Sequence, residues 1–321
     1  MKKKYDVCAI GNALVDYEIE VEDSFLTNNR IEKGLMTLVE EEQQASLLQA
    51  ASGKIKKRQG GGSAANTIFG LSAFGGTGYY TCKVADDQDG ALFIQDLKDA
   101  QLDSNLLKGA LSAGTTGKCL VMITPDAERT MNTFLGITTD FSKAEVDAEA
   151  IGNAAYLFME GFLVSTEKGL ESMKKAVEEA KATDTKVALS FSDPSMVKYF
   201  GGQMKEIVGL GIDLLFCNVE EAEIFTDSQG LEQVKQALKQ HAKKFVVTLG
   251  SDGAVGFDGR DFIEIAPKPV MAVDATGAGD MFAGAFLYGI THNMDFYEAG
   301  KLASAASSLV VGKFGPRITK N

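Results

Sequence analysis

Residues 274–284 read Asp274-Ala275-Thr276-Gly277-Ala278-Gly279-Asp280-Met281-Phe282-Ala283-Gly284 and run on into the apolar Ala285-Phe286-Leu287. Small residues that open a helix leave several N–H groups pointing at one spot, and the helix dipole favours an anion there. Gly277, Ala278 and Gly279 are therefore a candidate oxyanion or phosphate cradle. Asp280 falls in the first helical turn, where a carboxylate stays ionised and can accept a proton from an attacking hydroxyl. The competing explanation is a glycine-rich turn whose acidic residue stabilises the helix and nothing more.

Four further segments share this placement. Gln59-Gly60-Gly61-Gly62-Ser63-Ala64-Ala65-Asn66 is a second glycine-rich helix start. Ser63 suits the N-cap, Gly61 and Gly62 let a ligand lie against the backbone, and Asn66 can reach back toward the loop. Gly11-Asn12-Ala13-Leu14-Val15-Asp16 follows the first apolar run, and Asn12 and Asp16 suit sugar hydroxyls. Asn218-Val219-Glu220-Glu221 puts two polar groups three apart, able to face one solvated cation, although a plain N-cap explains them too. Thr248-Leu249-Gly250-Ser251-Asp252-Gly253 again follows an apolar run, with a hairpin turn as the plain alternative. Ligands of doubly wound sheets bind at such strand exits and helix mouths.

Working outward, short apolar runs at 7–11, 79–84, 156–159, 186–191, 213–217 and 245–249 alternate with helical stripes. Leu170, Met173, Val177 and Ala180 form one stripe and Leu231, Val234, Leu238 and His241 another. The expected fold is α/β, a doubly wound, mostly parallel sheet covered on both faces. The whole chain, 1–321, is expected to be one domain. Polar–apolar alternation at 17–21, paired runs at 116–124 and 129–135 around a turn at 125–128, and residues 35–39 suggest a small projecting sheet from segments near 15–39 and 115–136.

Composition narrows the chemistry. Of 321 residues, 45% are hydrophobic and 24% charged, as in globular proteins. The net charge of −12 disfavours nucleic acid as a partner. Only His241 and His292 are present, which argues against a histidine triad or a multi-histidine metal site. Cys8, Cys82, Cys119 and Cys217 lie far apart in apolar runs and read as reduced core residues. The start lacks an apolar signal core, and no apolar run approaches the ~18 residues of a membrane span. A cytoplasmic location without membrane contact is the expectation. No G-x-G-x-x-G is present, and Gly117-Lys118 is not a Walker A because Ser112 and Cys119 stand at required Gly and Ser/Thr positions.

Taken together, the segments resemble the ribokinase-like (PfkB) carbohydrate and nucleoside kinases over essentially the whole chain. The D-x-x-G-A-G-D-x-F-x-G pattern at 274–284 is the most specific match, with Gly61-Gly62 to Asn66, N-x-x-E at 218–221 and T-x-G-x-x-G at 248–253. The resemblance implies transfer of a phosphoryl group from Mg2+-ATP to a primary hydroxyl. It would make Asp280 the base and the amides of Gly277, Ala278 and Gly279 the anion hole. Asn218 and Glu221 would order Mg2+ through water, and Thr248, Gly250 and Gly253 would line the ATP site beside Asn218. Asn12, Asp16, Gly61, Gly62 and Asn66 would hold the acceptor, and the small sheet would be the lid. Gly11-Asn12, the Gly62-Ser63 loop and Glu128-Arg129-Thr130 look closest to adenosine-kinase-like members. That placement puts Arg129 near the transferred phosphate and Met36, Leu38 and Phe162 around a base. Many members respond to K+, for which Asp274, Thr276, Val310, Lys313 and Gly315 occupy comparable places. Ala275 stands where the family commonly has Thr, and Ala64-Ala65 differ from the best-known adenosine kinases. Inosine, guanosine, or a free sugar such as ribose or fructose therefore stay open as acceptors. So does a non-catalytic sensor on the same fold, and so does the choice between monomer and homodimer.

Overall fold

Consecutive apolar residues in the first run point to two different buried layers. Val7 and Ala9 join one apolar cluster, Cys8 and Ile10 the other. Residues 156–159 divide the same way, Tyr156 and Phe158 against Leu157 and Met159. A strand with helices on both faces needs this continuous apolar pattern.

The computed structural model describes residues 3–126 and 128–318. Met1 and Lys2 of the basic start, Ala127 of the hairpin turn and residues 319–321 lie outside the described residues. Along the chain run β1 (Tyr5–Ile10), β2 (Leu14–Glu20), β3 (Met36–Leu38), β4 (Ile55–Gly61), helix α1 (Ser63–Ala73), β5 (Gly78–Thr81), α2 (Gln88–Asp99) and β6 (Asp103–Ser104). There follow β7 (Thr116–Ile123), β8 (Arg129–Gly136), β9 (Ala154–Glu160), α3 (Glu167–Ala182), β10 (Lys186–Ser190), β11 (Ile212–Asn218) and α4 (Val219–Thr226). The last elements are α5 (Leu231–Leu238), β12 (Ala242–Thr248), β13 (Ala254–Phe257), β14 (Phe262–Ile265), α6 (Ala278–Thr291) and α7 (Phe296–Val311); several short helices complete the set.

Nine strands form the main sheet in the order β14-β13-β12-β11-β10-β9-β1-β5-β6. From β12 to β6 all neighbours are parallel, and β13 and β14 add an antiparallel edge. The α/β, mostly parallel architecture expected from the alternation is the observed one. β1 leads directly into the second sheet, ordered β3-β8-β7-β2-β4. Its β4 comes from Ile55–Gly61, a third segment beyond the two expected, and β5 ends at Thr81 rather than residue 84. Met173, Val177 and Ala180 of α3 are buried as the stripe required. His241 lies beyond α5, exposed, with its ring edge-on to Phe225 at 5.0 Å between centroids. All four cysteines are buried and free. No helix among the described residues is long and apolar enough to cross a membrane.

Candidate active site

The two glycine-rich segments open α1 and α6, and these helices meet closely. A Cβ on Gly284 would run into the Thr67 carbonyl, so glycine there brings α6 onto α1. Thr67 is four residues past Ser63 and Gly284 four past Asp280, so the two helix mouths arrive side by side. Ser63 Oγ donates to Asp280 Oδ1 at 2.6 Å, and Asn66 Nδ2 donates to Oδ2 at 3.2 Å. Burial pushes the Asp280 carboxyl up to about 6, while these two donors and the Arg317 charge hold it lower than burial alone would. Such a carboxylate is ionised at neutral pH and still basic enough to take a proton.

The cradle beside it is formed by a turn. Gly277 has φ +73°, a left-handed conformation that suits glycine, and a Cβ there would strike Pro316. The Ala278 amide is turned onto the Ala275 carbonyl at 3.1 Å. Among the described residues no hydrogen bond takes the Gly277 or Gly279 N–H, so these two, rather than all three, point free. Among the described residues a Cβ on Gly279 would meet nothing within 4 Å at the helix mouth.

Strand register sets the other side of the site. Val15, Tyr17 and Ile19 of β2 bury into the core with Leu47 and Phe93, so Asp16 and Glu18 face the other way. Asp16 pairs across to Gln59 of β4 and to Cys119 of β7; Cys119 pairs with Thr133, and Thr133 with Leu38. One pair along, Val121 opposes Met131, and Met131 opposes Met36; Ile123 opposes Arg129. One face of the small sheet is thus divided into a polar half, Asp16, Glu18 and Gln59, and an apolar half, Met36, Leu38, Val121 and Met131. Met36 and Leu38 are 43% and 60% exposed. Burial pushes Asp16 up to about 7. Its carboxyl packs where a Gly61 Cβ would stand, and a Gly62 Cβ would strike the Asn12 carbonyl. Phe162 lies in the short turn Gly161–Ser165 after β9, half-buried.

Asn218 ends β11 directly beside Thr248, which ends β12. Asn218 and Glu221 cap α4 reciprocally: Glu221 N–H donates to Asn218 Oδ1 at 2.8 Å and Asn218 N–H to Glu221 Oε2 at 2.9 Å. The cap leaves one carboxylate oxygen, and burial pushes Glu221 up to about 7. Among the described residues no group of three or more His, Cys, Asp or Glu side chains could hold a metal ion. A Mg2+ ion here would rest on phosphate oxygens and water, with Glu221 as an outer partner, which is how Mg2+ is commonly bound. Gly250 (φ +61°) and Gly253 (φ +92°) turn the β12–β13 hairpin, so the plain alternative for that segment also holds.

Asp274 is a knot. Its Oδ1 accepts from Thr276 N–H at 3.0 Å, its Oδ2 accepts from Gly315 N–H at 3.1 Å, and Arg129 Nη2 stands 2.9 Å from Oδ2. The Arg129 guanidinium also faces the Phe314 ring at 5.7 Å. Val310 is buried near the end of α7 with its carbonyl taking the Lys313 N–H.

Two residues that the motifs did not mark complete the site. Glu160, wholly buried at the end of β9, accepts from Asn12 N–H and Ala64 N–H, both at 2.7 Å, and so ties the loop after β1 and the start of α1 to the sheet. A charge inside the apolar run at 154–164 was its only signal. Arg317 reaches the site from the chain's last described residues, where no pattern pointed to it.

The sequence model of the pfkB family carbohydrate kinases matches residues 37–321. The crystal structure of a probable sugar kinase from Rhizobium etli superposes with a TM-score of 0.90 at 30% identity, covering 99% of this chain and 96% of that one. An adenosine kinase from Sinorhizobium meliloti superposes with a TM-score of 0.89 at 32% identity, covering 98% and 96%. A 5-dehydro-2-deoxygluconokinase from Clostridium botulinum is 27% identical over 265 residues, 78% of this chain and 77% of that protein.

Proposed function

The chain belongs to the pfkB family of carbohydrate kinases and is an ATP-dependent phosphotransferase acting on a sugar or a nucleoside; on that premise we propose that its acceptor is a nucleoside, adenosine before inosine or guanosine, phosphorylated on the primary 5′-hydroxyl. The observation that carries this reading is the divided face of the small sheet. A nucleoside has a hydroxylated ring and a flat apolar base joined in one molecule. Asp16 with Asn12 suits the first, and the exposed Met36 and Leu38 suit the second. A free sugar carries hydroxyls all round and gives the apolar half no partner.

Phosphoryl transfer depends on positioning and charge neutralisation more than on covalent chemistry. Mg2+-ATP, when bound, supplies the phosphoryl group and the divalent charge. Asp280 takes the proton of the acceptor hydroxyl, with Ser63 and Asn66 fixing its two oxygens. The Gly277 and Gly279 amides stabilise developing charge on the transferred group. Glu160 holds the acceptor loops in register with that chemistry. The small sheet acts as a lid that excludes water, the competing acceptor. Arg129 brings a cation from that lid to the cradle's floor through Asp274.

The test is ADP release with Mg2+-ATP across adenosine, inosine, guanosine, ribose and fructose, for the wild type and Asp280→Asn. Turnover confined to nucleosides, reduced ~10²–10⁴-fold in the variant, is expected. Near-normal turnover in the variant would remove Asp280 from its role. The sugar-kinase relative favours a second reading, a free-sugar acceptor. Leu38→Asp separates them: it raises KM for adenosine and leaves a sugar's KM unchanged.

A further inference from the structure

Arg317 is assigned nothing by the kinase reading, yet three partners fix its guanidinium. Its Nε donates to Asn66 Oδ1 at 3.1 Å, its plane lies 3.5 Å from the Phe69 ring centroid, and Nη1 stands 3.5 Å from Asp96 Oδ2. The side chain is only 11% exposed, and among the described residues Nη2 is buried without a hydrogen-bond partner. Burying an arginine this fully is costly unless the site needs its charge or its fork.

An asparagine amide presents an acceptor at one end and donors at the other, and the two ends exchange by a flip. At Asn66 the acceptor end meets Arg317 and the donor end meets Asp280. Flipped, Oδ1 would face a carboxylate oxygen and the amide nitrogen would face a guanidinium, two repulsive contacts. We propose that Arg317 is a positioning residue for phosphoryl transfer, which locks the Asn66 amide so that its N–H group holds the Asp280 carboxylate in place. The inference rests on the reading of Asp280 as the base.

The charge acts in the same direction as the lock. The carboxyls of Asp16 on β2, Glu160 at the end of β9 and Glu221 on α4 feel the Asp280 charge, and their own upward shifts to about 7 keep them largely protonated where Asp280 ionises. From α1 it meets the neutral Ser63 and Asn66, and the Arg317 charge favours its ionised form. Losing Arg317 therefore removes a donor arrangement and a positive charge together, and both losses favour protonated Asp280.

The experiment titrates the Asp280 carboxyl by 13C NMR in the substrate-free protein, for wild type, Arg317→Met and Arg317→Lys. The wild-type midpoint is expected near 6, and the Met variant should move it upward by roughly one pH unit, the Lys variant by less. Steady-state rates with adenosine and Mg2+-ATP should fall ~10–10²-fold in kcat for Arg317→Met, with KM for ATP little changed. The loss should be larger near pH 6 than near pH 8.5, whereas a merely structural defect lowers the rate equally at both. At pH 8.5, where the charge effect is small, Arg317→Met combined with Asn66→Ala should lose clearly less than the two single losses added together. An unmoved midpoint or fully additive losses would overturn the role of Arg317. Should the Met variant fail to fold, the Lys variant and its cycle with Asn66→Ala decide by the same criterion. Near-normal turnover of Asp280→Asn would overturn the base assignment itself, whereas an unmoved midpoint with that variant inactive would overturn only the role of Arg317.

Discussion

The helix starts at Gly62 and at Gly277 lie side by side over one site, and their glycines answer different demands. At the first, Gly61 makes room for the Asp16 carboxyl, and Gly62, with φ +107°, lets the Asn12 carbonyl approach. That segment is closed upon itself, and its tightness sets where Asn12 and Asp16 stand. At the second, Gly277 packs its turn against Pro316, but Gly279 faces open space. On the proposed reading, one start positions the groups that would bind the acceptor and the other offers room for an anion.

Methyl groups added at the two starts should act in opposite ways. Gly62→Ala adds a Cβ into a backbone oxygen at a left-handed position, so it should cost roughly 2–4 kcal/mol of stability. Its thermal midpoint should drop by several degrees, with activity lost in proportion to fold. Gly279→Ala should leave the thermal midpoint unchanged or slightly raised, since alanine is the better helix former. Its methyl would occupy the cradle, and kcat/KM for ATP should fall roughly 10–10²-fold. A Gly279→Ala enzyme with normal activity would mean that the anion sits elsewhere; an unstable one would mean that the space is not free.

Much of this architecture could be read from residues in order. Central strands buried on both faces are continuous apolar runs, and 7–10, 156–159 and 245–247 declare themselves. The sequence Ile55-Lys56-Lys57-Arg58-Gln59-Gly60-Gly61 does not, because an edge strand with four exposed positions carries neither an apolar run nor alternation. Backbone pairing to β2 makes it a strand. The glycine-rich starts and Asp280 were legible because a local turn chemistry marks them. Glu160 and Arg317 were not, since their partners lie 96 to 251 residues away and their roles exist only once α1 is packed.

Burial raises the carboxyls at both helix starts alike, so pH acts on both together. Asp16 and Glu160 are both pushed to about 7 and Asp280 to about 6, with burial the main cause. A carboxyl whose folded pKa lies above its unfolded value favours the fold fully below the unfolded range near 4, and that favour is lost as pH rises through 6 to 7. Carboxylates shifted the other way, such as Asp87 and Asp147, lose their contribution only at more acid pH. The thermal midpoint should therefore peak near pH 5 and decline by several degrees toward pH 8, an order-of-magnitude figure. Asp16→Asn should flatten that decline while abolishing acceptor binding. A midpoint that rises from pH 5 to 8 in the wild type would show that these carboxyls are better solvated than their burial implies.

The smallest effect is expected at the floor of the cradle. The five residues placed around a K+ ion do converge there, for Asp274 takes the Thr276 and Gly315 amides and the Val310–Lys313 turn adjoins them. Yet both oxygens of Asp274 are engaged, and the positive charge they meet is the Arg129 guanidinium at 2.9 Å. An ion in that place would find main-chain oxygens and no free carboxylate, with an arginine already opposing its charge. Replacing K+ by choline at constant ionic strength should then change turnover far less than the ~5–150-fold of a typical effector coupling. Arg129→Ala would leave the Asp274 carboxylate without its cation, and a K+ response that emerges only in that variant would identify the guanidinium as the resident charge. A strong K+ response in the wild type would instead mean that Arg129 leaves Asp274 when the lid closes over substrate.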